Sequence, residues 1–202
     1  MKEEITSLTQ GADRLLDRTE NPLHRQILEN YRRHALLEVT GRWREVVYDP
    51  AMTVEHPVYH YLGPDGSSVT LDGRQQVADF YDTMARQRAT VATVHDEELA
   101  VADWGFASEA TYHLYLPPES GPDDGDGGPR TTCIRRQRIA MHWRYDADAR
   151  LLEEHHYEHP GRAEIIEIPS RDFITPEDAV AALSPLIRPL RDFIRPGGPG
   201  SC

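Results

Sequence analysis

Residues 139–158, IAMHWRYDADARLLEEHHYE, decide the reading of the chain. Residues 139–145 and 151–158 are rich in aromatic and branched side chains, and the aspartate-rich stretch 146–149 between them has turn composition, so the segment describes a β-hairpin. The first of these strands begins upstream at Thr132. Two further strands precede it, at 91–102 and 106–116, joined by a turn at 103–105. Before Arg88 the texture is helical. Leu23, Ile27, Tyr31 and Ala35 recur at fourfold spacing, with Leu28 and Leu36 widening the stripe, and Gly41 ends that helix. Residues 42–48 form a short second helix presenting Trp43, Val46 and Val47, and MTVEHPVYHYL (52–62) reads as a strand. GPDGSSV (63–69) is a turn-rich loop. Asp72 then caps a third helix in which Val77, Phe80, Tyr81 and Met84 fall at i, i+3, i+4 and i+7.

Helices followed by a run of strands is the order of an α+β domain whose helices cover one face of a curved antiparallel sheet, with a pocket between the two layers. The first 21 residues read as a polar lead-in and residues 22–168 as the domain itself. PPESGPDDGDGGPR (117–130) is a flexible acidic loop within it. After Pro160, AEIIEI (163–168) adds a strand. Thr175, Pro176 and Asp178 start a C-terminal helix within an extension at 169–195, which Pro185 and Pro189 break or kink. Residues 196–202, PGGPGSC, are a tail.

Composition narrows the function classes. The chain has 202 residues, 22 basic and 34 acidic, for a formal net charge of −12, and 39% of it is hydrophobic. That describes one globular domain. So acidic a surface repels nucleic acid. No apolar run approaches the ~20 residues that cross a bilayer. Cys133 and Cys202 make no disulfide framework, and MKEEITSLTQ lacks the apolar stretch of a signal peptide, so the expected address is cytoplasmic. No glycine-rich nucleotide loop or GxSxG elbow occurs, and no cofactor is expected.

The order of a helix bearing Tyr31, then GRWREVVYDPAMTVEHPV (41–58), DGRQQVADFY (72–81) and IAMHWRYDADARLLEEHHYE resembles the SnoaL-like and ketosteroid-isomerase-like branch of the nuclear-transport-factor-two-like superfamily, over roughly residues 23–159. The resemblance implies a cone-shaped, cystatin-like α+β barrel around an apolar cavity, commonly in a homodimer formed on the outer sheet face. Its members include isomerases, polyketide cyclases, dehydratases, epoxide hydrolases and binding modules without chemistry, so fold alone does not decide function. In the isomerases the counterpart of His56 is an aspartate general base, and Tyr31 matches a tyrosine that donates to the substrate oxyanion. Met141 stands where those enzymes have a second, protonated aspartate. In the polyketide cyclases the catalytic aspartate falls at His156 and a histidine is often found at Glu154.

Alternation along a strand puts Glu154, His156 and Glu158 on one face, and the resemblance turns that face inward. Between two carboxylates a buried histidine feels opposing pulls on its charge, which suits a general acid or base. His56 precedes Pro57, which favours an extended backbone. His56 and His60 lie ~13 Å apart along their strand, and His155 and His156 point to opposite faces, so no local pair chelates a metal and none is expected. Trp43, Phe80, Tyr81, Met84, Met141 and Trp143 are the expected apolar walls, with Glu158 at the ligand. The resulting expectation is an acid–base isomerase, cyclase or dehydratase acting on a hydrophobic, carbonyl-containing molecule such as a polyketide or steroid-like compound. His56, His156, Tyr31 and Glu154 carry its chemistry. Epoxide-hydrolase-type activation of water and ligand binding without turnover are the alternatives.

Overall fold

The fourfold stripe of the first long helix organises the interior. In the computed structural model, which describes residues 4–117, 131–161 and 163–190, that helix is α2 (Pro22–Val39), capped by the Asn21 side chain and started by a first-position proline. Its buried side includes Ile27, Leu28, Tyr31 and Leu36, and it lies across the concave face of the sheet. The short helix α3 (Trp43–Tyr48) follows, and α4 (Arg74–Arg86) closes the other side.

Ahead of α2 the polar lead-in is structured. Residues Ile5–Thr9 form a 3-10 turn that runs into α1 (Gln10–Leu16), and Ile5, Leu8, Ala12 and Leu16 are buried against the helices and the sheet. Four apolar anchors spaced three or four residues apart suffice to dock the segment, although polar residues outnumber them.

The sheet runs in the order β2 (Ser68–Asp72), β1 (Thr53–Leu62), β6 (Leu151–Glu158), β5 (Cys133–Tyr145), β4 (Gly105–Leu116), β3 (Ala92–Ala102), and β7 (Glu164–Glu167) pairs with β5 beyond the end of β6. It is mixed rather than antiparallel, because β1 and β6 are parallel neighbours while the other pairings are antiparallel. The long excursion from β1 to β6 supplies the crossover that a parallel pair requires. The expected loop at 63–69 gives way to β2 at Ser68, and Asp72 ends that strand instead of capping a helix. The N-cap of α4 is Gly73, whose φ of 90° favours a residue without Cβ.

Two single-residue bulges set which side chains face inward. On β6, Leu151 pairs with Tyr145 and Glu153 with Arg144, so Leu152 is extra and the following residues change face. On β3, His95 pairs with Thr111 and Glu98 with Glu109, so Asp96 and Glu97 share the place opposite Ala110. The C-terminal helix α5 (Pro176–Leu183) has the expected capping box between Thr175 and Asp178 and stops before Pro185. The expected acidic loop beyond Pro117, and everything after residue 190 including the tail, lie outside the described residues. Among the described residues no helix is long and apolar enough to cross a membrane.

One buried amide ties the layers together. The Asn30 Nδ2 donates to the carbonyls of Met52 and Ala149, both at 2.8 Å, joining α2 to the start of β1 and to the β5–β6 turn. Asn30→Ala removes the donor to the Ala149 carbonyl and leaves the Met52 carbonyl with the Leu151 amide alone, and is expected to lower the unfolding free energy by about 1–3 kcal/mol in urea titrations. Arg42→Ala, which removes only the surface pair with Glu45, is expected to cost less than about 1 kcal/mol.

Candidate functional site

The helices and the concave sheet enclose a hollow of about 460 Å³. Tyr31, Ala35 and Glu38 of α2 form one wall and Phe80 and Met84 of α4 another, with Tyr61, Tyr112, Ile139, Met141 and Trp143 on the sheet. Glu154, His156 and Glu158 enter side by side from β6, because the Leu152 bulge brings them to the face that Leu151 occupies.

Glu154 is the most constrained of these groups. It is 4% exposed, its Oε1 accepts a hydrogen bond of 3.2 Å from the Tyr61 hydroxyl, and its Oε2 has no hydrogen-bond partner among the described residues. Burial pushes its pKa well above the usual carboxylate range, the nearby Glu38 charge pushes it further, and the Tyr61 hydrogen bond opposes them only in part. These influences favour the protonated form of Glu154, in which it has a proton to donate.

Glu38 sits one helical turn beyond His34. Its carboxyl is pushed up to about 7 by burial, with Tyr81 donating a hydrogen bond that partly offsets the shift. The accessible 29% of its side chain belongs to a residue that lines the hollow. His34 is fully buried, shares a 2.8 Å hydrogen bond between Nε2 and the Tyr81 hydroxyl, and is held neutral, its pKa lowered to about 3 by burial. At the far edge Arg135 clamps Glu158 through two hydrogen bonds of 2.6 and 3.0 Å, and His156 Nε2 lies 3.7 Å from the same carboxylate. Burial raises the Glu158 pKa, but the hydrogen bonds from His156 and Arg135 outweigh it and leave the group below its ordinary value.

Of the residues singled out from sequence, Tyr31, Phe80, Met84, Met141, Trp143, Glu154, His156 and Glu158 line this hollow, and His56, Trp43 and Tyr81 do not. Pro57, Tyr59 and Tyr61 take the inner face of β1, so pleat alternation sends His56 outward, where it is 70% exposed and pairs with Asp72 at 2.7 Å. Trp43 and Tyr81 are buried behind the wall, their rings stacked at 6.2 Å. Sequence reasoning missed Glu38, Tyr61, Tyr112 and Arg135. Glu38 stands at i+7 from Tyr31 on the helical stripe, and Arg135 shares strand parity with Met141 and Trp143, which were the available signals. Among the described residues no group of three or more potential ligands converges on a metal position.

Superposed on a candidate SnoaL-like polyketide cyclase from Jannaschia sp. CCS1, the chain gives a TM-score of 0.50 at 15% identity, over 70% of its own length and 90% of that protein's. The fold is SnoaL-like. A candidate polyketide cyclase from Xanthomonas campestris pv. campestris is matched at TM-score 0.46 and 14% identity, covering 67% of this chain and 91% of that one. A phenazine biosynthesis-related protein from Pseudomonas aeruginosa is matched at 0.45 and 13%, covering 86% and 95%. No protein-family model and no curated protein matches the sequence. At such identities the likeness concerns the SnoaL-like fold, and the chemistry has to come from the residues in the hollow.

Glu38 and His34 imply opposite pH trends in stability. Between pH about 4.5 and 7 the folded chain keeps a proton on Glu38 that the unfolded chain loses, so stability falls as pH rises. Between about 6.5 and 3 the unfolded chain protonates His34 while the folded chain does not, so stability falls as pH drops. Glu38→Gln removes the first trend only. Its unfolding free energy in urea is expected to climb more steeply than the parent's from pH about 4.5 to 6.5, and an unchanged slope would show that Glu38 titrates as an ordinary carboxylate.

Proposed function

We propose that the protein is an acid–base enzyme, needing no cofactor, that enolises a hydrophobic ring-bearing carbonyl compound in the course of an isomerisation, cyclisation or dehydration. The observation that carries this reading is the presence of two carboxyl groups in one apolar hollow, one with its proton affinity raised well above the carboxylate range by burial and the other near 7. Groups whose environments push their proton affinities apart are the natural acid and base of a proton-transfer site.

Glu154 is the acid in this scheme, its O–H holding the substrate oxygen by a hydrogen bond that strengthens as negative charge develops there. Glu38 has an affinity near the working pH, where a general base is most effective, and takes the carbon-bound proton. His156, steadied by the Glu158–Arg135 pair, is a second proton carrier on the same wall. The aromatic and methionine walls suit a planar ring system, and their apolar character strengthens each hydrogen bond to the developing oxyanion.

The test uses 2-tetralone, a compact bicyclic ketone, and proton NMR of its α-carbon exchange in deuterated buffer, with binding followed by tryptophan fluorescence. The parent is expected to accelerate exchange over buffer. Glu154→Gln and Glu38→Gln are each expected to lower the rate by about 10² to 10⁴, while His56→Gln leaves it unchanged. Bound ketone that exchanges no faster than in buffer would make the hollow a binding site without chemistry.

A further inference from the structure

Tyr31 is the point at which the hollow touches a second carboxyl system, outside the acid–base pair described above. Its ring lies on Phe106 and Trp143, at centroid distances of 4.4 and 5.5 Å, and its hydroxyl donates to Glu97 Oε1 at 2.7 Å. Glu97 Oε2 is buried with no hydrogen-bond partner among the described residues. On its other side Glu97 borders surface depressions formed with Gly11 and Arg14 of α1. The residue therefore stands between the hollow and the solvent.

Two features of the chain hold it there, a β3 bulge with one left-handed residue and a glycine on the facing helix. The extra residue on β3 moves Glu97 off the face of His95 and onto that of Ala92 and Val94. The neighbouring bulge residue, Asp96, has a φ of 51°, a left-handed conformation that non-glycine residues seldom adopt. On the facing helix Gly11 leaves the space that the carboxyl fills, and a Cβ there would overlap the Glu97 carboxylate. A carboxyl that served only as surface charge would need neither of these.

Resting on the acid–base reading above, we propose that Glu97 and Tyr31 form a proton relay that supplies the substrate oxygen from the surface. With ketone bound, the Tyr31 hydroxyl turns its O–H from Glu97 to the substrate oxygen and protonated Glu97 donates to the tyrosine oxygen instead; as charge develops, the Tyr31 O–H bond breaks and its proton goes to the substrate oxygen. The Glu97 O–H bond breaks in turn and its proton restores the tyrosine, leaving Glu97 as a carboxylate to be reprotonated from water at the Gly11–Arg14 side. Burial raises the proton affinity of Glu97, against the opposing influence of the Tyr31 hydrogen bond and Arg14, which favours the protonated starting form. Glu97 touches no substrate and acts through Tyr31.

Glu97→Gln separates a relay from a structural tie, because the amide oxygen still accepts from Tyr31 but the group carries no transferable proton. In the full chain with 2-tetralone, this variant is expected to lower the saturated exchange rate about 10²-fold while the dissociation constant and melting temperature stay at parent values. Gly11→Ala, which displaces the carboxyl without changing it, is expected to lower the rate in the same sense and gives a second route should Glu97→Gln fold poorly. A parent-like rate in both variants overturns the relay and leaves the acid–base reading standing. So does a Glu97→Gln rate loss that merely follows weakened binding and a lowered melting temperature. A parent that exchanges no ketone overturns the acid–base reading, and the relay with it.

Discussion

A carboxyl group without water must either find partners or give up its charge. Glu154 has one hydroxyl partner and a second oxygen with none among the described residues, and Glu38 adds a like charge nearby. The low dielectric of the walls favours the neutral form of Glu154, since one hydroxyl hydrogen bond offsets only part of the cost of burying a charged carboxylate. The surrounding construction serves this one condition. Trp143 stands opposite Glu154 across the β5–β6 ladder, Tyr59 is its neighbour on the parallel strand, and α2 and α4 supply the facing walls.

The means by which the fold aims polar groups into an apolar space is the β-bulge. Regular alternation from Leu151 would have turned Glu153, His155 and Tyr157 inward and left Glu154, His156 and Glu158 in solvent, and the extra residue at Leu152 reverses that assignment. The same device on β3 brings in Glu97. In both strands a single inserted residue changes the chemistry of the hollow without changing its apolar frame, which Ile139, Met141 and Tyr112 continue to supply. Helix α2 contributes in the simplest way, presenting Tyr31, His34 and Glu38 on successive turns toward the sheet.

The parts of this arrangement legible in sequence are those governed by local periodicity. The stripe from Leu23 to Ala35 defines α2, the Thr175 box and Pro185 define both ends of α5, and β6 coincides with residues 151–158. The order of helices and strands, together with the family resemblance, led to the SnoaL-like fold. Local periodicity does not report pairing, so the parallel β1–β6 contact and the short strand β2 escaped it. Nor does it report bulges: Glu154 and His156 were turned inward by the resemblance, not by the pleat, and Glu97 was invisible. The resemblance misled at His56, where alternation from Tyr59 and Tyr61 dominates. Around residues 5–16 four spaced apolar anchors were outnumbered by polar neighbours, and only their packing partners, distant in sequence, make them a structured element.

The protonation state of Glu154 is the most direct point of contact with experiment. Infrared difference spectroscopy of the parent minus Glu154→Gln at pH 7, in deuterated buffer and without ligand, isolates its carboxyl stretch. A band of the neutral carboxylic acid, present in the parent and lost in the variant, is the expected result. A carboxylate band at that position instead would mean that the hollow is wet enough to ionise Glu154, and would contradict the dry acid site on which the proposed chemistry stands.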